Sequence, residues 1–206
     1  MKSDNTAIQQ NYADLAEHYE VRWKAFLSRT RDWVLHHLPQ TPPQNILDYG
    51  CGTGVMLQKL SAQYPDAAVT GIDMSSEMLA IARKNAPQAT LINGKFSKSP
   101  QQPHDLVLSL NVLHHLPDAA AHLELLRKSC AVNGTIFLCD FAVSNPIMAL
   151  SEQYWRAFHP AHRKSFTPPA LQDLITKNGL RIDRQAILKP DYFWRLQIYK
   201  LSRAAG

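Results

Sequence analysis

The sequence predicts an α/β protein with a doubly wound, mostly parallel sheet and an antiparallel last strand. Three observations carry that expectation. Between residues 45 and 141, short apolar strand-like runs alternate with helical stretches, the pattern of right-handed crossovers between parallel strands. Gly50-Cys-Gly-Thr-Gly54 stands where the first such strand meets the first such helix. Near the end, Arg181 to Leu188 and Phe193 to Leu201 are separated only by Lys189-Pro-Asp-Tyr192. A connection that short makes a hairpin, so the last strand runs against its neighbour.

Residues 6–38 read as helix, because Ile8, Tyr12, Leu15, Tyr19, Trp23, Phe26, Leu27, Val34 and Leu38 fall mostly three or four apart. Pro39, Pro42 and Pro43 end it. Asn45 to Tyr49 is a strand, the stretch to about Tyr64 a helix, Ala68 to Asp73 a strand, and Ser75 to Ala86 a helix with Ser75 as its N-cap. Thr90 to Asn93 is a short third strand and 97–104 a loop. Asp105 to Leu110 is almost continuously apolar, as a strand covered on both faces should be. A helix follows from Pro117 to about Ser129, and Asn133-Gly134 is expected to turn the chain into a strand from Thr135 to Phe141. Residues 145–159 form an aromatic-rich helix. Thr167-Pro168 opens another, and Gly179 sits where its C-terminal cap belongs.

With 206 residues, 45% apolar and 19% charged, the chain suits one globular domain and can bury a substantial core. Three widely spaced cysteines make no disulfide framework and point to a reducing compartment. No apolar run reaches a membrane span, and the first residues lack a signal peptide's apolar stretch. A soluble cytoplasmic protein is expected. The net charge of +5 comes from the last quarter, where residues 151–206 hold ten basic and four acidic side chains. They are spaced mostly singly, which reads as a solvated face before it reads as a nucleic-acid surface.

Glycines between a strand and a helix let a ligand approach the backbone amides of the helix start. A dinucleotide loop has the spacing G-x-G-x-x-G, whereas this one is G-x-G-x-G, with Val55 where tight packing wants a small residue. Asp73, nineteen residues beyond Gly54, ends the second strand, where a carboxylate can accept from both hydroxyls of a ribose. Met74 follows, placed to lie against a purine face. The bland alternatives are an N-cap role for Asp73 and core packing for Met74.

Asp48-x-Gly50-x-Gly52-x-Gly54, then Gly71-x-Asp73-Met74-Ser-x-x-Met78, then Asp105-Leu-Val-Leu-Ser-Leu-Asn-Val-Leu-His-His-Leu116 resembles the class I S-adenosylmethionine-dependent methyltransferases over roughly residues 8–200. The likeness is strongest to the small-molecule branch that includes quinone methyltransferases. It implies a seven-stranded Rossmann-like sheet with a reversed last strand, behind an N-terminal helical cap. It further implies S-adenosyl-L-methionine as cofactor and a small-molecule methyl acceptor. One domain would span 1–206, with the cap at 1–43, a cofactor-binding core at 44–141, an acceptor-side insertion at 142–166, and a C-terminal helix and hairpin at 167–206.

Carried over, Gly50, Gly52 and Gly54 lie under the methionine moiety, Asp73 takes the ribose and Met74 the adenine. Leu110 and Asn111 line the cofactor. Lys95 and Phe96 stand where the family usually has an acidic residue reaching the adenine amine; a lysine cannot accept that hydrogen bond. Tyr12 and Tyr19 share one helix face, and with Arg22 they are placed to meet the cofactor carboxylate, although plain core packing explains the stripe as well.

Methyl transfer to a neutral hydroxyl, thiol or carbon acid also needs a base. His114 and His115 follow the fourth strand, and the resemblance makes His115 the one to face the acceptor; the alternative is that both are structural. Trp155, Phe158, His159 and His162 are further pocket candidates. His159-Pro-Ala-His162 lacks companion ligands at metal spacing, so no metal is expected. The alternatives kept are a non-catalytic binding member of the fold and an RNA methyltransferase. The sequence leaves the acceptor and the oligomeric state open.

Overall fold

The computed structural model describes residues 18–94, 102–159 and 162–204. Its seven strands form one sheet in the order β3-β2-β1-β4-β5-β7-β6. They are β1 (Asn45–Tyr49), β2 (Ala68–Asp73), β3 (Thr90–Asn93), β4 (His104–Leu110), β5 (Cys130–Phe141), β6 (Leu180–Leu188) and β7 (Leu196–Arg203). The pairs β1–β2, β2–β3, β1–β4 and β4–β5 are parallel. Strand β7 runs antiparallel to both β5 and β6, as the terminal hairpin requires. The helices are α1 (Tyr19–Arg22), α2 (Lys24–His36), α3 (Val55–Gln63), α4 (Ser76–Asn85), α5 (Ala119–Ser129), α6 (Pro146–Phe158) and α7 (Pro168–Lys177).

The central strands are apolar without alternation because helices cover both faces. Ile46, Leu106, Leu108, Phe137 and Ile198 point into one core with Val34 of α2 and Leu57 and Leu60 of α3. Their neighbours Leu47, Val107, Ile136, Leu138 and Tyr199 point into the other, with Leu123 and Leu126 of α5 and Leu171 and Ile175 of α7. Side-chain caps start the helices where the sequence places them: Ser75 Oγ accepts from the Met78 amide and Thr167 Oγ1 from the Ala170 amide. Gly179 takes φ +70° just past α7.

Three expectations are corrected. The helix expected to run unbroken to residue 38 is interrupted at Trp23, which lies outside helical geometry at φ −106°, ψ 16° and divides α1 from α2. Its ring meets Phe26 edge-on at 5.3 Å. Asn133-Gly134 is not a turn before the strand but lies within β5, whose pairing shifts register from His104–Cys130 to Leu106–Thr135. Gly134 serves close packing there: a Cβ would sit 2.6 Å from Cys130 Sγ and 3.0 Å from the Asp105 carbonyl oxygen. Strand β7 begins three residues later than expected, because Asp191 Oδ1 accepts from the amides of both Phe193 and Trp194 and holds that stretch in a turn.

The sheet order reverses between β1 and β4, and the crevice at their carboxyl ends is where an open α/β sheet offers a site.

Candidate active site

Leaving β1, Gly50, Gly52 and Gly54 all take positive φ, at +75°, +52° and +75°. They differ in what a side chain would meet. A Cβ on Gly50 would lie 2.3 Å from Val112 Cγ2, and one on Gly54 2.8 Å from Ala82 Cβ. A Cβ on Gly52 meets nothing within 4 Å. The outer glycines thus permit packing, whereas the middle one opens onto a cavity. That cavity, about 50 Å³, is walled by the loop, Asp48, Leu110, Asn111, Tyr19 and Glu20, among others. Asp73 at the end of β2 braces it: Oδ2 accepts from the Gly52 amide and Oδ1 from the Ser75 amide, each at 2.9 Å.

Charge is concentrated here. Asp48 is buried and its Oδ1 has no hydrogen-bond partner among the described residues. Burial, seconded by the Asp73 carboxylate and opposed by Arg31, pushes its carboxyl up to about 7. Burial also raises Asp73, against the pull of its amide donors. Above the loop, Glu20 accepts two bonds from Arg31, at 2.7 and 2.8 Å, and one from the Thr53 hydroxyl. Burial works to raise the Glu20 carboxyl, but these partners outweigh it and hold it below its ordinary value. The cap is thereby tied to the glycine loop.

A second cavity, about 270 Å³, opens beside the first and shares Tyr19, Leu27 and Asn111 with it. Trp23, Phe26, Phe141, Trp155 and Trp194 give it aromatic walls, and His114, His115, His159 and His162 face it with Glu152. His114 Nδ1 lies 2.8 Å from Asp140 Oδ1, and its backbone amide donates to Asp140 Oδ2 at 3.0 Å. His162 Nε2 lies 2.8 Å from Glu152 Oε2, while Glu152 Oε1 accepts from the Ser165 amide. Burial, with the charges of His162, His114 and Arg22, lowers the pKa of His159. Asn111, between the cavities, is the non-glycine residue of the described chain at positive φ, +61°; its amide donates to the Cys139 carbonyl.

The sequence candidates distribute over both cavities. Tyr19, Gly50, Gly52, Leu110 and Asn111 line the smaller one, with Asp73 behind the loop and Met74 buried beside it. Tyr12, Lys95 and Phe96 lie outside the described residues. Arg22 lines the larger cavity, its guanidinium 5.9 Å from the Trp23 ring centre, and the arginine at the glycine loop is Arg31. One of the two adjacent histidines was expected to face a pocket; both do, with ring centres 3.8 Å apart. Trp155, His159 and His162 line the same cavity, whereas Phe158 is 72% exposed. Sequence reasoning missed Glu20, Arg31, Asp140, Glu152 and Trp194. Asp140 alone had a signal, a carboxylate near the carboxyl end of β5 within an apolar run.

The three cysteines are buried and unpaired with one another. Burial raises the Cys130 thiol to about 12 and moves Cys51 and Cys139 in the same direction, so none is an activated nucleophile. Among the described residues, no group of three or more His, Cys, Asp or Glu side chains could hold a metal ion, and no helix is long and apolar enough to cross a membrane.

Residues 15–185 match the family described as a methyltransferase domain. Trans-aconitate 2-methyltransferase of Rhodopseudomonas palustris is 28% identical over 83% of this chain and 67% of its own length. The Klebsiella pneumoniae enzyme of that name is 30% identical over 78% and 64%. For the Methylobacterium nodulans protein the figures are 36%, 50% and 40%, so this chain spans about two fifths to two thirds of these relatives. Among solved structures, magnesium protoporphyrin IX methyltransferase of Synechocystis with bound SAH shares the fold at TM-score 0.76, with 18% identity over 98% of this chain and all of that one. The DhpI–SAH complex does so at TM-score 0.71, with 19% identity over 98% and 97%. The family match, nearly the length of the chain, and the shared seven-stranded sheet place it: the chain belongs to the methyltransferase-domain family, among the class I S-adenosylmethionine-dependent methyltransferases.

Proposed function

We propose that the chain transfers a methyl group from S-adenosyl-L-methionine to a small molecule with an apolar or aromatic body. The observation that carries this reading is the pair of cavities sharing Tyr19, Leu27 and Asn111: one against a glycine loop, the other aromatic and lined with histidines. The residues of the first fit the cofactor. Gly52 leaves room for a ligand at the backbone, and the unpartnered Asp48 Oδ1 calls for a cation or a donor, which a molecule carrying an ammonium and a sulfonium provides.

In this reading Gly50, Gly52 and Gly54 lie under the methionine moiety, Asp73 takes the ribose hydroxyls, and Met74 and Leu110 flank the adenosine. Asn111 and Tyr19 stand at the boundary, and Arg31 rather than Arg22 is the cation on the cofactor side. The cofactor supplies an electrophilic methyl group. The chain's contribution is to seat the acceptor in line with it and exclude water, which the aromatic walls favour. Residues 142–166 serve the acceptor and 18–43 close over the loop. The relatives are named for trans-aconitate, a carboxylate acceptor; the Trp and Phe walls here support a more apolar one. The three reduced, buried cysteines suit a reducing compartment, so we place the activity in the cytoplasm.

Isothermal titration with S-adenosylmethionine and with its demethylated product tests the reading. Saturable heat with both is expected, and Asp73→Ala should weaken binding by about 1.5–3 kcal/mol through loss of a charged acceptor. No heat with either ligand contradicts it.

A further inference from the structure

Resting on the methyl-transfer reading, we propose that His114 is the general base of the reaction, with Asp140 as its positioning residue, and that the acceptor is a neutral hydroxyl of phenol or enol type.

Asp140 is 2% exposed at the end of β5, yet both its oxygens are engaged. Oδ2 takes the His114 amide at 3.0 Å; Oδ1 takes the Phe141 amide at 2.6 Å and faces His114 Nδ1 at 2.8 Å. A carboxylate so fixed accepts only, so the ring presents Nδ1–H to it and carries its lone pair on Nε2. Among the described residues Nε2 has no hydrogen-bond partner, and His114 lines the aromatic cavity. The backbone is held as well: the His114 carbonyl accepts from the amides of Arg163 and Lys164. One contact thus fixes the ring and the others fix the backbone that carries it, while its basic nitrogen is left for something in the cavity.

The charged and titratable groups around it support an acceptor that becomes an anion. His115 lies beside it, with ring centres 3.8 Å apart, and His162, already paired with Glu152, lies at 5.6 Å. His159 and Arg22 face the same cavity from α6's end and from the cap. Imidazole and guanidinium groups there favour a developing oxyanion, and both oxygens of Glu152 are engaged, Oε2 with His162 Nε2 and Oε1 with the Ser165 amide.

This pair has no task with a carboxylate, which is ionised at neutral pH. A phenolic hydroxyl, at about 10 like tyrosine, is mostly protonated there and lies within a few units of imidazole. Its ring also matches walls of Trp and Phe. In the step, the acceptor O–H bond breaks with its proton moving to Nε2, and the oxygen's electron pair forms the bond to the methyl carbon. The pair of the broken carbon–sulfur bond stays on the donor's sulfur. The proton then leaves Nε2 for solvent.

The test uses the full chain, His114→Gln and Asp140→Asn, with phenols of ring pKa from about 4 to 10 and with trans-aconitate, product being read by mass spectrometry. Wild type should methylate phenols. His114→Gln should lose about 10²–10⁴-fold with un-ionised phenols and little with those already ionised, the range expected of a lost base. Asp140→Asn should show the same dependence on acceptor pKa, with the loss shrinking as pH rises. Independently of turnover, nitrogen NMR of the cofactor-free protein should find the Nδ1–H tautomer at His114, lost in Asp140→Asn. Equal losses for ionised and un-ionised phenols, methylation of trans-aconitate alone, an Nε2–H tautomer in wild type, or cofactor binding without any phenol methylated would each overturn the proposal. Failure of wild type to bind S-adenosylmethionine would instead strike the methyl-transfer reading beneath it.

Discussion

The glycine-loop cavity and the aromatic cavity share a wall but are built differently. The first takes the largest share of its lining from one contiguous stretch, residues 48–56, where a strand end, the loop and the start of the next helix follow one another, and the rest from 19–31 and 110–111. The second is assembled from 19–27, 111–115, 141–165 and Trp194, segments scattered over the chain. The first holds the Glu20–Arg31 pair but also a strained charge: Asp48 is raised to about 7 and keeps an oxygen with no partner among the described residues. In the second, charges come in pairs, His114 with Asp140 and His162 with Glu152. A site that grips one invariant kind of ligand can be written as a contiguous motif, whereas a site fitted to a particular acceptor draws on whatever the fold brings near.

The sharpest way to break this comparison lies within the glycine loop. Gly50→Ala forces a Cβ to 2.3 Å from Val112 at positive φ and should destabilise the fold by about 4 kcal/mol or more, read by urea unfolding. Gly52→Ala meets no atom and should cost only about 1–2 kcal/mol of backbone strain, while weakening S-adenosylmethionine binding on the order of tenfold or more by filling the ligand's space. Equal effects of the two on stability would show that Gly52 does not open onto a ligand.

Asp48 gives the next largest effect, and its sign is fixed by its raised pKa. The folded carboxyl titrates above the unfolded one, so its contribution is intact below about pH 4 and lost as pH rises to about 7. Asp48→Asn removes that penalty. It should gain on wild type across this window, reaching on the order of 2–4 kcal/mol, measured by unfolding at a series of pH values. Cofactor affinity in wild type should move the other way, rising as Asp48 ionises. A stability difference independent of pH would show that Asp48 is not held neutral.

The cap supplies the smaller contrasts. Arg31→Leu leaves Glu20 with Thr53 alone and should cost about 1–2 kcal/mol, with faster hydrogen exchange over Tyr19–Arg22. Arg22→Ala, an exposed side chain stacked near Trp23, should change stability by under about 0.5 kcal/mol and leave cofactor affinity within about twofold. A larger loss of cofactor affinity in Arg22→Ala than in Arg31→Leu would reverse the assignment of the two arginines.

This contrast also explains what could be read from the sequence. The sheet was legible because strands buried on both faces are continuous apolar runs and their crossovers carry helical periodicity. The exceptions were local: Gly134 looked like a turn, but its lack of a side chain serves close packing inside a bulged strand, and Asp191 lengthened a hairpin loop through its own hydrogen bonds. Gly50, Gly52 and Gly54 were legible because they are contiguous, and Asp73 because it ends the strand that was expected beside theirs. The His114–Asp140 pair was not, since its partners lie 26 residues apart and meet only when β4 and β5 pair. The same holds for Glu20 and Arg31, eleven apart across a helix break that periodicity did not show.

The most direct test of the central claim is a crystal structure of the chain with S-adenosylhomocysteine at saturating concentration. The amino-acid portion should lie over Gly50–Gly54 beside Asp48, the ribose on Asp73, and the sulfur at Asn111 facing the aromatic cavity. Ligand bound among His114, His159 and His162 instead, with the glycine-loop cavity closed, would contradict the account.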